Sequence, residues 1–140
     1  MSDKYFLDTN VIVYSMESTD PLKRKRAREL VTEGAAGKIG VISYQVVQEF
    51  VNVALGKFRS AISPSDLDDF LRGVLYPMMS VPSSPWLFLD ALTLRDRNKL
   101  AWYESLIIAA GIQGGCKILY SEDLQHGRRF GDLVVHNPFL

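Results

Sequence analysis

Four acids in this chain stand where an acid has chemical meaning: Asp8, Glu49, Glu104 and Asp123. Asp8 closes the apolar run Tyr5-Phe6-Leu7, and Asp123 follows Lys117-Ile118-Leu119-Tyr120 across Ser121-Glu122. Both read as carboxylates delivered just past the C-terminal end of a strand, and in an open parallel sheet that edge is the crevice where ligands bind. Glu49 lies near the start of a predicted helix, off its apolar stripe. Glu104 lies in the first turn of an otherwise apolar helix, and in a β-α-β unit a helix begins at the same edge at which the strands end.

Like charges about 5 Å apart at an effective dielectric near 20 repel by roughly 3 kcal/mol, so carboxylates gathered there require a counter-charge. With one cysteine and two histidines the chain cannot build a zinc site of the usual kinds. Hard oxygen donors point instead to Mg2+ or Mn2+. An ion so held lowers the pKa of bound water and neutralises a leaving oxygen, which is the chemistry of phosphodiester hydrolysis. Thr9, Asn10 and Ser121 are placed to orient the acids by hydrogen bonds.

Each residue also has a plainer reading. Asp8 suits a helix N-cap, and Thr9, Asn10 and Ser121 suit ordinary turns. Glu49 fits a solvated helix face, and Glu104 fits the positive end of a helix dipole. Asp66, Asp68, Asp69 and Asp90 fall inside helical patterns or at caps and carry no assigned chemistry. Glu122, beside Asp123, points the opposite way if the chain is extended. His126 offers phosphate contact or proton transfer, against the commoner loop histidine that does neither, and His136 a structural role in the last strand; Trp102 or Tyr103 offers a surface for stacking on a base, with buried packing the expected fate of at least one, since neighbours on a helix face different ways. Convergence of four acids from separate stretches is what favours chemistry over capping.

The elements that must position them follow in order. Strands are predicted at Tyr5–Leu7, Lys38–Ile42, Met78–Pro82, Lys117–Tyr120 and Leu133–His136. Val11 to Met16 begins a helix or loop; Leu22 to Ala35 reads as an amphipathic helix with Ala27, Leu30 and Val31 inward, ended by Gly34 and Gly37. Ser43 caps a helix carrying Val46, Val47, Phe50, Val51, Ala54 and Leu55. Ser63-Pro64 and Ser84-Pro85 are cap-and-proline starts, with Leu67, Phe70, Leu71, Val74 and Leu75 inward in the first and Leu87, Phe88, Ala91 and Leu92 in the second. The second runs to about Asn98. Leu100 to Gly114 is apolar on most sides and therefore buried. This alternation predicts a three-layer α/β/α sandwich around a mostly parallel sheet of about five strands. The 140 residues suit a single domain, residues 1–140.

The chain has 16 basic and 16 acidic residues, so composition gives no broad basic surface for nucleic acid. Local runs exist at Lys23-Arg24-Lys25-Arg26 with Arg28, at Lys57 and Arg59, at Arg95, Arg97 and Lys99, and at Arg128-Arg129. They are solvated helix faces unless some ring the acidic edge. The N-terminus lacks a signal-peptide pattern and no apolar run approaches bilayer length, which predicts a cytoplasmic protein without a membrane span. The lone Cys116 agrees with a reducing compartment and reads as a small core residue.

Phe6-Leu7-Asp8-Thr9-Asn10-Val11, Ile42-Ser43-Tyr44-Gln45-Val46-Val47-Gln48-Glu49-Phe50, and Trp102 to Ala110 through Gly115-Cys116 to Tyr120-Ser121-Glu122-Asp123-Leu124-Gln125-His126-Gly127 occur in that order. In this the chain resembles PIN (PilT N-terminus) domains, and more narrowly the VapC-type ribonuclease toxins of toxin-antitoxin pairs, over nearly its whole length. The resemblance implies a single-stranded RNA endonuclease with Asp8, Glu49, Glu104 and Asp123 as Mg2+ or Mn2+ ligands. It also implies a homodimer and a small antitoxin whose C-terminal segment lies across the active-site groove. One departure stands out, since the family pattern usually has Asp where this chain has Glu104, and the extra methylene moves the carboxylate by roughly one bond length.

Two enzyme-like alternatives fit less well. A phosphatase of the haloacid-dehalogenase type needs a second acid two residues after the first, where this chain has Asn10; a receiver-like module needs an acceptor Asp after a middle strand, and Ser80 to Ser83 contains none. A rival of another class is a PIN-like module that has lost catalysis and serves as a binding or scaffold protein, a reading that Glu104 keeps open.

Overall fold

The computed structural model describes residues 3–57 and 62–140. Arg59, in one of the basic runs, lies outside them.

β1 (Tyr5–Leu7) is buried at all its positions, which suits a central parallel strand covered on both faces. α1 (Thr9–Met16) follows directly, capped by Asp8, and α2 (Pro21–Ala36) is capped by Asp20 with proline in its first turn. β2 (Gly40–Ser43) leads into α3 (Tyr44–Gly56), and Ser43 Oγ accepts from the Val46 N–H as the cap. α4 (Pro64–Phe70), capped by Ser63, continues through a π-helical turn at Leu71–Leu75 into α5 (Tyr76–Met78). β3 (Met79–Val81), α6 (Pro85–Asn98), capped by Ser84, and α7 (Trp102–Gln113) come next. β4 (Ile118–Tyr120), β5 (Arg129–Phe130) and β6 (Leu133–His136) complete the chain.

The strands lie in the order β3-β2-β1-β4-β6-β5, parallel except for β5 against β6. Helix α1 packs on both α2 and α3, and α6 packs on α7. With right-handed crossovers the two groups cover opposite faces, giving the expected sandwich. Leu7 pairs with Tyr120 in register, so the two strands end side by side and Asp8 and Ser121 leave the sheet together.

The described sheet has six strands, one more than expected. The addition is β5, two residues long and too short for any periodicity to reveal. β2 begins two residues later than predicted because Lys38 turns through a left-handed conformation, φ 56°. Gly34 does not end α2 but lies inside it, where helix and strand touch: a Cβ on Gly40 would fall 2.8 Å from Gly34 Cα and 2.8 Å from Met78 Sδ. Leu55, Phe88, Leu92 and Ile112, expected on inner faces, are exposed. Cys116 is buried just before β4, and burial pushes its thiol up to about 12. Among the described residues no helix is long and apolar enough to cross a membrane.

Candidate active site

Asp8 leaves β1 as the N-cap of α1, so the capping and functional readings fall on the same carboxylate. Its Oδ1 accepts from the Thr9 N–H at 2.7 Å, and its Oδ2 accepts from Ser121 Oγ at 2.8 Å and Asn10 Nδ2 at 3.4 Å. The residue is only 9% exposed. Burial pushes its carboxyl up to about 6; the bonds from Ser121 and Thr9 hold it down, and the charges of Asp123 and Glu49 push it further up.

Ser121 joins the two strand ends. Fully buried, it donates to Asp8 while its Oγ accepts from the N–H groups of Asp123, at 3.2 Å, and Leu124, at 3.4 Å. Asn10 makes a second link: its Nδ2 donates to Asp123 Oδ2 at 3.1 Å, and its Oδ1 accepts from the Glu122 N–H at 3.2 Å. Thr9 Oγ1 donates to Glu49 Oε1 at 2.8 Å, and Gln45 Nε2 reaches the same oxygen at 3.4 Å. Thr9, Asn10 and Ser121 are thus each hydrogen-bonded to at least one of the acids.

Glu104 behaves first as a helix residue. Its Oε1 accepts from the Ala101 N–H at 3.0 Å, closing the backbone side of a capping box at the start of α7. Even so, Asp8, Glu49, Glu104 and Asp123 all line one cavity of about 130 Å³, together with Gln45, Tyr103, Ile107 and Leu124. Four stretches of sequence therefore deliver their acids to one place, and among the described residues no basic side chain lines it.

Three of the described cationic residues are engaged elsewhere. Lys23 pairs with Glu122 at 2.6 Å, and Tyr14 OH donates to the same carboxylate at 2.6 Å. Burial tends to raise the Glu122 carboxyl, but these two bonds hold it below its ordinary value. Glu122 thus turns away from the cavity, as expected for the neighbour of Asp123. Arg28 donates to the Ser15 carbonyl and Arg128 to that of Asn98. His126 Nδ1 accepts from the Asn137 N–H at 3.0 Å, a structural bond, and the ring of His136 lies 4.9 Å from that of His126.

A divalent cation fits the donor chemistry of this cavity, where a buried carboxylate and three others meet without a counter-charge among the described residues. The arrangement is not a finished coordination sphere. Among the described residues no three His, Cys, Asp or Glu side chains form a ready-made metal cluster. Glu49 is turned to Thr9, and Glu104 to the α7 backbone.

The family model for the PIN domain matches residues 5–129. This chain belongs to the PIN domain family. Solved structures with the same fold include a toxin-antitoxin complex from Klebsiella pneumoniae (TM-score 0.69, 14% identity, 96% of this chain and 98% of that one). VapBC2 from Rickettsia felis, bound to a DNA fragment from its promoter, superposes with TM-score 0.63 at 20% identity over 95% of this chain and 97% of that one. VapC20 from Mycobacterium tuberculosis, a sarcin-ricin loop cleaving toxin, gives TM-score 0.60 at 16% identity over 86% and 90%. At such identities the likeness is one of fold. No curated protein matches this PIN chain by sequence.

Proposed function

We propose that this PIN domain, spanning residues 1–140, is a Mg2+- or Mn2+-dependent endoribonuclease acting on single-stranded RNA, the toxin of a toxin-antitoxin pair. The observation that carries the reading is the cavity at the C-terminal edge of the sheet, lined by Asp8, Glu49, Glu104 and Asp123 and, among the described residues, by no basic side chain. Asp8 and Asp123 would hold the ion, with Glu49 and Glu104 joining once they turn from their present partners. Bound there, such an ion supplies an activated water and a positive charge for the leaving oxygen. Ser121 and Asn10 hold Asp8 and Asp123 in place, while Thr9 holds Glu49 in its present position.

The toxin-antitoxin proteins sharing the fold support a small antitoxin partner; a homodimer and a cytoplasmic setting are part of the same proposal. The second reading, a module without catalysis, draws on Glu104: its carboxylate is committed to the Ala101 N–H, and its length differs from the Asp usual at this point.

The deciding experiment incubates purified protein, free of antitoxin, with single-stranded RNA in Mg2+, Mn2+ or EDTA, beside Asp8→Asn. Metal-dependent cutting lost in the variant is the expected result. No cutting in either metal favours the binding module, and equal cutting by both proteins marks a contaminant.

A further inference from the structure

Two aromatic residues open α7, and they take opposite fates. Trp102 is half-buried, its ring 6.2 Å from that of Phe88. Tyr103, one position on, is 67% exposed and lines the acidic cavity beside Asp8, Glu49 and Asp123. Among the described residues neither an aromatic ring nor a cation covers it. Gln45, in the first turn of α3, also lines the cavity; its amide makes one long bond, 3.4 Å, to Glu49. At about 130 Å³ the cavity is far below the roughly 300–1,000 Å³ of pockets that enclose a whole small ligand. It admits the reacting group of a substrate and leaves the rest outside.

We propose that Tyr103 is a nucleobase platform at the mouth of this cavity, on which a base flanking the scissile phosphate stacks, with the Gln45 amide facing the base edge. The proposal rests on the ribonuclease reading and adds to it how the strand is held. A tyrosine face suits any unstacked base, and an amide supplies both donor and acceptor to a base edge. Among the described residues no cation lines the cavity, so stacking takes on holding that basic side chains would otherwise provide.

The test measures anisotropy of labelled oligouridylate, oligoadenylate and an abasic ribose-phosphate strand of equal length, with Ca2+ as the ion, for wild type, Tyr103→Ala, Tyr103→Phe and Tyr103→Trp. Base stacking is worth roughly 1–3 kcal/mol, so Tyr103→Ala weakens base-bearing strands by about 5- to 150-fold. Phe and Trp, which keep a ring, stay within about threefold of wild type. The abasic strand binds wild type and Tyr103→Ala equally. The proposal is overturned if Tyr103→Ala binds oligouridylate and oligoadenylate as wild type does, or if it weakens the abasic strand by the same factor. Cleavage of the same strands in Mg2+ or Mn2+ separates the two readings. Base-dependent binding through Tyr103 without cutting sinks only the ribonuclease; cutting and binding indifferent to Tyr103→Ala sink only the platform.

Discussion

Ser121 shows how one hydroxyl can organise a site. It donates a hydrogen bond to Asp8 and accepts from two backbone N–H groups of the loop carrying Asp123, so both acids depend on one buried oxygen. Removing it in Ser121→Ala leaves Asp8 without its shortest side-chain bond, and support of this kind is worth roughly 10–100-fold in metal affinity. Isothermal titration with Mn2+ should show a loss of that size, and urea unfolding a cost of about 1–3 kcal/mol from the unpaired groups. Asp8 itself gives a pH signature. Its carboxyl titrates near 6 in the folded chain against an ordinary value of 3.8. The folded state therefore binds the proton more tightly than the unfolded state. Below about 3.8 both forms are protonated and Asp8 costs nothing, whereas between about 4 and 6 stability falls as pH rises, by about 3 kcal/mol in all. Urea unfolding in EDTA should show this slope in wild type and its absence in Asp8→Asn. A slope equally steep in the variant would refute the assignment.

The ends of the secondary structures were readable in sequence because caps are local: Ser43, Ser63 and Ser84 each accept the expected N–H. Asp8 and Asp123 were legible for a similar reason, an apolar run breaking at an acid. What joins them was not. The Asp8–Ser121 bond spans 113 positions, and the sequence offered only a hydroxyl near each acid. Phe88 and Leu92 misled because helical spacing names a stripe without saying whether a neighbour covers it; both are exposed. Glu104 was legible as a first-turn acid, and its cap makes it separable from a ligand by experiment. A Glu104→Gln change retains an oxygen for the Ala101 N–H, so thermal stability should move by less than about 0.5 kcal/mol. If the charge is needed for the ion, Mn2+ affinity should drop all the same; unchanged affinity would remove Glu104 from the ligand set. Gly40→Ala forces a carbon against the α2 backbone and should cost about 1–3 kcal/mol in chemical denaturation. A neutral outcome would mean that α2 can slide on β2.

A ligand that binds only the folded chain raises its stability, by about 2.7 kcal/mol at a hundred times its dissociation constant. Melting curves with and without Mn2+ should differ for wild type and coincide for Asp8→Asn. Assembly is open to a parallel test. On α6, Trp86, Phe88, Leu89 and Leu92 are 72%, 44%, 55% and 46% exposed, a run of large apolar groups on one helix. A homodimer covering them should be dissociated by Trp86→Glu with Leu89→Glu, as read by sedimentation; a dimer indifferent to both would have to use another surface. The sheet's outermost strands bear on what else can attach. β3 has three residues and β5 only two, so each flank leaves few main-chain groups for a foreign strand to zip onto. A visiting peptide would gain little by lengthening the sheet, and an inhibitor drawn as a β-hairpin mimic would be aimed at the wrong part of the protein. Scaffolds that lie along helices or reach into the carboxylate crevice are the better starting point.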